Sequence, residues 1–220
     1  MPKNIILQHF DGELRELDKL SIDNIQQYAE RIGADHKLVT GKPFRQHLTA
    51  PCQKAIVIDS MWDNYDNVLM LDPDMFVAKD LTEDVFEVRG YGTHGPTQVR
   101  LKERLVSLGR IAPQAAYWAG SFYKFDLITR MRIRERMPLT DKWMDMYNLP
   151  YFYEDEGILA ELAWAARIPQ YYIGIEWNQC SFLPNPRKAK MIHIRTKITP
   201  EGPKRLKIEN YQHLVDEGII

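Results

Sequence analysis

Apolar positions along the chain alternate between short unbroken runs and longer stretches spaced by three or four, a rhythm that predicts a layered α/β protein. Asn4 to Phe10 carries Ile5, Ile6 and Leu7 in succession and reads as a first strand, with His9, Asp11 and Gly12 at its carboxyl end. Ile22, Ile25, Ala29 and Ile32 then recur at helical spacing, with Ser21 as the expected cap and Gly33 as the stop. A short strand over Lys37 to Thr40 completes the strand, helix, strand unit from which parallel sheets are built. Pro51 to Trp62 reads as a helix with proline in its first turn. Val68 to Leu71 is apolar without alternation and follows the turn formers Asp63, Asn64, Asp66 and Asn67, as expected of a strand covered on both faces.

Beyond that strand, Asp80 to Glu87 reads as a short helix capped by Thr82, and Gly90 to Pro96 as a loop. Gln98 to Leu108 places Leu101, Leu105 and Leu108 on one helical face, and Tyr117 to Asp126 is aromatic and strand-like. Leu127 to Tyr147 reads as two helices broken at Pro138, with Arg130, Arg132, Arg134 and Arg136 as surface charge. Ile158, Leu159, Leu162, Ala163 and Ala166 form the apolar face of a further helix. Tyr171 to Ile175 and Lys190 to Arg195 read as late strands, and Ile208 to Glu217 as a last helix. The expected architecture is one α/β domain over residues 1–220, with a mostly parallel central sheet flanked by helices.

Composition narrows the function. Lys plus Arg (29) nearly balances Asp plus Glu (30), so no overall field draws in nucleic acid or an anionic membrane. No apolar run approaches the ~20 residues of a membrane span, and the start, Met-Pro-Lys-Asn, lacks a signal pattern, so a soluble cytoplasmic protein is expected. Cys52 and Cys180 fit no metal spacing and are expected to be reduced thiols.

The chemistry concentrates at Asp72-Pro73-Asp74. With 16 Asp in 220 residues, a bare Asp-x-Asp arises roughly once by chance. What distinguishes this one is the buried run entering it and Met75, Phe76 and Val77 leaving it, because few surface turns are so bracketed. Two carboxylates at the carboxyl end of a buried strand repel one another. A divalent cation that also takes phosphate oxygens can hold both ionised.

Tyr65 to Phe86, containing VLMLDPDMFVAKDLTEDVF, resembles the Asp-x-Asp region of the GT-A-fold glycosyltransferases, especially the retaining glycogenin-like group. The resemblance implies the GT-A fold, with residues 1–80 as the nucleotide- and metal-binding half and 81–220 as the acceptor-side half. It also implies Mn²⁺ or Mg²⁺, a UDP-sugar donor and a hydroxyl of a glycan or glycoprotein glycan as acceptor. His9 and Phe10 would then lie near the nucleoside, and Lys54, otherwise an ordinary snorkelling lysine, would contact the nucleotide-sugar. "WAGSF" is similar to the family's N-[SA]-G-[VL] strand, with Gly120 lining the sugar site and Trp118 in place of Asn. Asp155-Glu-Gly-Ile-Leu159 is similar to D-Q-x-x-L, with Glu156 in place of Gln. There Asp155 would face the transferred sugar, and Asp155 or Glu154 would be the base if the enzyme inverts.

"HIRTK" is similar to the family's H-x-x-G-x-x-K without the Gly, so His193 would complete the metal site of Asp72 and Asp74. Arg195 and Lys197 would share the diphosphate charge, and Thr196 to Lys207 reads as a flap over the phosphates or a surface loop. Two rival readings remain. One is an aspartyl-phosphate phosphatase with Asp72 as nucleophile, which Phe76 and the preceding βαβ unit disfavour. The other is a carbohydrate-binding module without turnover. Further domains of a longer polypeptide could follow.

Overall fold

The structure, a computed structural model, describes residues 2–137, 154–182, 186–196 and 206–220. A four-stranded sheet in the order β2-β1-β3-β5 forms its centre, from β1 (Asn4–Phe10), β2 (Asp35–Thr40), β3 (Asn67–Leu71) and β5 (Phe122–Asp126). The first three run parallel, and β5 joins antiparallel to β3, with Leu71 opposite Phe122.

Successive strand side chains go to opposite faces, and in β1 and β3 both faces are covered, which is why those two strands carry continuous apolar runs. Ile5, Leu7, Val68, Met70, Tyr123 and Phe125 point to one layer, which holds the 3₁₀ turns of Pro51–Ile58 and a helix over Glu154–Ala165. Ile6, Leu69, Leu71 and Phe122 point to the other, against Ile25, Tyr28 and Ala29 of α1 (Glu16–Arg31). A small second sheet, in the order β4-β7-β6, extends the carboxyl edge of the first, from β4 (Met75–Val77), β6 (Gln179–Cys180) and β7 (Met191–His193).

Several expected elements change form. The helix α1 starts at Glu16 because the Asp18 carboxylate turns back to accept the Arg15 N–H at 2.9 Å. Ser21 is therefore not a cap. It is buried inside the helix, where its hydroxyl donates to the Met75 carbonyl at 2.6 Å and ties α1 to the second sheet. Asp80 to Glu87 forms turns rather than a helix, and Tyr171 to Ile175 contributes only a bridge between Tyr172 and Gly92. The strand expected over Tyr117 to Asp126 begins only at Phe122, and the buried residues before it are irregular. The expected break at Pro138 lies outside the described residues.

Of the arginines on and just after the helix over Leu127–Arg134, Arg132 and Arg136 are exposed as expected, but Arg130 and Arg134 are not surface charge. Arg130 is fully buried and donates to the carbonyls of Phe125 (3.0 Å), Trp62 (3.1 Å) and Tyr65 (2.7 Å). Arg132 reaches the Ala166 carbonyl at 2.8 Å, and Arg134 pairs with Asp63 at 2.6 Å. These long side chains carry their charged ends to backbone carbonyls and a carboxylate of neighbouring segments. Replacing Arg130 with Ala would remove a donor from three carbonyls, of which that of Trp62 keeps the Tyr65 N–H at 2.9 Å, and each carbonyl left without a donor costs about 1–3 kcal/mol. Urea denaturation of Arg130→Ala should therefore show a loss of about 3 kcal/mol or more, whereas Ile128→Ala, 63% exposed, should change stability by less than about 0.5 kcal/mol.

Candidate active site

Where β3 ends, the Met75 N–H donates to the Asp72 carbonyl at 3.2 Å and closes a tight turn over Asp72-Pro73-Asp74. The two carboxylates converge because of this turn, not because of the strand pleat, which stops at Leu71. The turn is held from three sides. Gln8 on β1 donates to the Asp72 carbonyl at 3.3 Å, the Asp72 N–H donates to the Ser121 carbonyl at 3.2 Å, and the Ile194 N–H donates to the Asp74 carbonyl at 2.9 Å.

β7 runs antiparallel to β4 with Met75 opposite His193, and that register brings the imidazole to the acidic pair. His193 Nε2 lies 3.1 Å from Asp74 Oδ1 and 3.7 Å from Asp72 Oδ2. One ligand atom from each of Asp72, Asp74 and His193 falls within 4.8 Å of the others, so the three fit a metal with two oxygens and one nitrogen. Burial pushes the Asp74 carboxyl up, but His193 and Lys207 more than offset it and hold the group well below the usual carboxylate range. Lys207, at the start of the last helix (Lys207–Asp216), forms an ion pair with Asp74 Oδ2.

Beside this triad lies a second charge cluster. Lys54 is only 9% exposed, and its ammonium sits 2.8 Å from Asp72 Oδ1, 2.8 Å from Asp155 Oδ2 and 2.8 Å from the Gly120 carbonyl. Burial lowers its affinity for a proton, but the two carboxylates overcome that and keep it charged. It is an internal bridge, not the snorkelling lysine that its lone position on an apolar turn suggests.

Asp155 also accepts from the Tyr123 hydroxyl at 3.1 Å. Gly120 is required by space, not by backbone angle. A Cβ there would stand 2.5 Å from Asp155 Oδ2 and 3.1 Å from Glu156 Cγ.

Lys54, Asp72, Asp155, Glu156, His193 and Arg195 share one polar pocket of about 230 Å³ with Gly120. Its opposite wall is a hydrogen-bonded trio in which the Asn178 amide donates to Thr93 Oγ1 and to Ser121 Oγ, both at 2.8 Å. Glu156 Oε1 accepts the Gly120 N–H at 2.7 Å and the Gln98 amide at 3.2 Å. Burial, then the neighbouring Asp155 charge, push the Glu156 carboxyl up to about 7.

His9 and Phe10 end β1 nearby, outside the residues that line this pocket. His9 Nε2 meets the Gly41 carbonyl at 2.7 Å, and burial holds its affinity for a proton down. Glu154 opens its helix, but its side chain, like all of Lys197 and the rest of the expected flap up to residue 205, lies outside the described residues. Sequence reasoning missed Lys207, Glu156 as a pocket group, and the Thr93, Ser121 and Asn178 wall. Only Asn178, polar beside Trp177, gave a local signal.

No protein-family model matches the sequence, and no curated protein matches it significantly. Solved structures do match its fold. One is a glycosyltransferase involved in the glycosylation of the major capsid of PBCV-1, with a TM-score of 0.58 and 13% identity over 97% of this chain and 100% of that one. Another is the galactosyltransferase LgtC in complex with donor and acceptor sugar analogs, with a TM-score of 0.59 and 13% identity over 97% of this chain and 95% of that one. An active-site mutant of LgtC gives a TM-score of 0.60 with the same identity and coverage. The chain thus has the GT-A glycosyltransferase fold, and the aspartyl-phosphate alternative loses its fold-level support.

Gly120→Ala is expected to push Asp155 off Lys54 and to cost about 1–3 kcal/mol in chemical denaturation. A second expectation concerns pH. The folded Glu156 carboxyl keeps its proton up to about 7, above its ordinary value of 4.5, so its contribution to stability is full below that ordinary value and lost as pH rises through about 7. Urea midpoints taken from pH 5 to pH 8 should fall more steeply for the wild type than for Glu156→Gln.

Proposed function

We propose that this chain is a metal-dependent glycosyltransferase that moves a hexosyl group from a UDP-sugar to a hydroxyl of a glycan or glycoprotein glycan, with retention of configuration. The observation that carries this reading is the Asp72, Asp74 and His193 triad opening into a polar pocket at the carboxyl end of a parallel sheet, where α/β enzymes bind ligands. Two carboxylate oxygens and an imidazole nitrogen suit Mn²⁺ better than strict Mg²⁺ chemistry. Bound there, the ion would supply Lewis acidity toward the diphosphate leaving group.

The chain's own groups divide the remaining work. Lys54, kept charged by Asp72 and Asp155, would place a fixed positive charge between the phosphates and the sugar. Arg195 lines the same pocket and would add to that charge, with Lys197 beside it in sequence. Gly120 would leave room for the sugar ring, and the Thr93, Ser121 and Asn178 wall would offer hydroxyl and amide groups to it. His9 and Phe10 would stand toward the nucleoside. Asp155 is held in place by Lys54, which it shares with Asp72, and a carboxylate so fixed suits support of developing positive charge better than abstraction of a proton. That supports retention over inversion through Asp155. Glu154 would be the carboxylate left for an inverting route.

Nucleoside diphosphate release should be measured from a panel of UDP- and GDP-sugars with Mn²⁺, Mg²⁺ or EDTA. Release from one UDP-sugar is expected with Mn²⁺ and not with EDTA. In Asp74→Ala it should fall by at least about a hundredfold, together with directly measured Mn²⁺ affinity. Donor binding without release, with or without added acceptor sugars, would instead support the binding-module reading.

A further inference from the structure

One group in the pocket has no work in the scheme above. Glu156 Oε1 is fully engaged, accepting from the Gly120 N–H at 2.7 Å and the Gln98 amide at 3.2 Å. Its other oxygen, Oε2, is closed to solvent and has no hydrogen-bond partner, although the side chain lines the pocket. A bare carboxylate oxygen without partners in such a place is costly, whereas a hydroxyl needs only one acceptor.

The surrounding charges point the same way. Asp155 precedes it on the same helix, and the nearest cation, Lys54, is already shared between Asp155 and Asp72. Tyr123 on β5 donates to Asp155 and stays neutral, its hydroxyl raised well above its ordinary value by burial and by the two carboxylates. Gln98 and Gly120 are uncharged, and Asp72, His193 and Arg195 stand across the pocket. Among the described residues no cation pairs directly with Glu156, in keeping with a carboxyl pushed up to about 7 by burial and by Asp155.

We propose that Glu156 works as a neutral carboxylic acid, with Oε1 as the fixed acceptor and Oε2–H as a hydrogen-bond donor to an oxygen of the transferred sugar. The terminal torsion of a glutamate is soft, so a small rotation of the carboxyl brings Oε2–H toward the pocket while Oε1 stays within reach of the Gly120 N–H. This makes Glu156 a specificity-determining residue of the donor site, selecting a hexosyl group that presents an acceptor oxygen at that point. The inference rests on the transferase reading. A hydrogen bond from the neutral form favours that form, so donor binding above neutral pH must draw a proton onto Glu156. No covalent step is involved, and the proton comes from the buffer.

The test uses the whole chain with Mn²⁺ and three probes, UDP-glucose, UDP-galactose and UDP. Titration calorimetry at pH 8 in two buffers of different ionisation heat reads proton uptake directly. Close to one proton should be taken up with the sugar nucleotide that binds and not with UDP. From pH 6 to pH 8 the wild-type affinity for that sugar nucleotide, relative to UDP, should fall about tenfold. Glu156→Gln, which has the shape and donor of the neutral acid, should bind with no proton uptake and no such fall.

Infrared difference spectra of the ligand-free protein should show a neutral carboxyl at pH 6 that disappears by pH 8 and is missing in Glu156→Gln. An ionised Glu156 at pH 6, or equal proton uptake with UDP and with the sugar nucleotide, would overturn the inference while leaving the transferase reading intact. Failure of the wild type to bind any of the three probes at any pH would remove both.

Discussion

The site depends on one buried ammonium. Lys54 joins the turn after β3 to the helix that begins at Glu154, by way of Asp72 on one side and Asp155 on the other. Without it, two carboxylates would face each other in a pocket with little water, and a buried charge left unpaired is far more expensive than a pair is favourable. The same ammonium donates to the Gly120 carbonyl, so three separate stretches of chain are fixed by one group. It stands on a 3₁₀ turn whose neighbours Ala55, Ile56, Val57 and Ile58 are wholly or almost wholly buried, and this rigid seat sets its position.

Metal-ligand geometry is set by a different device. Asp72 and Asp74 lie on a turn between a strand of the main sheet and a strand of the small one. Pairing of β4 with β7 then determines where His193 falls. A shift of one residue in that pairing would turn the imidazole to the opposite face, because side chains alternate along a strand. The Ile194 N–H bond to the Asp74 carbonyl and the Ser21 bond to the Met75 carbonyl both oppose such a slip. Two sheets that share a core through Met75, Val77 and Met191 thus meet at the three candidate ligands, and the register of the smaller one is pinned by the helix packed on the larger.

Charge in the pocket is graded. Behind His193 at one end Asp74 is held ionised by His193 and Lys207, and at the other Glu156 is pushed toward neutrality by burial and by Asp155. Separation of two carboxyls by their surroundings is how one site can offer both an anion and an acid near neutral pH. The first fits a cation, the second an oxygen-rich ring. Gly120 lies between them, where any larger residue would strike Asp155.

The sequence by itself determined the strand, helix, strand beginning, the doubly covered strand β3, and the acidic pair at its end. These follow from local periodicity and from which residues precede and follow the pair, and local order needs only neighbours in the chain. It also made His193 and Asp155 candidates, through a resemblance in short motifs. Only the tertiary structure decided that Lys54 bridges Asp72 to Asp155, that Arg130 holds the carbonyls of Phe125, Trp62 and Tyr65, and that Lys207 pairs with Asp74. It alone decided that Glu156, rather than an ordinary helix-start acid, lines the pocket half-buried with Oε2 closed to solvent and its carboxyl pushed up by burial and by Asp155. Each of those facts depends on partners dozens of residues away and on how much water remains around them. A linear pattern records which groups a residue carries, whereas desolvation and long-range pairing arise only when the layers close.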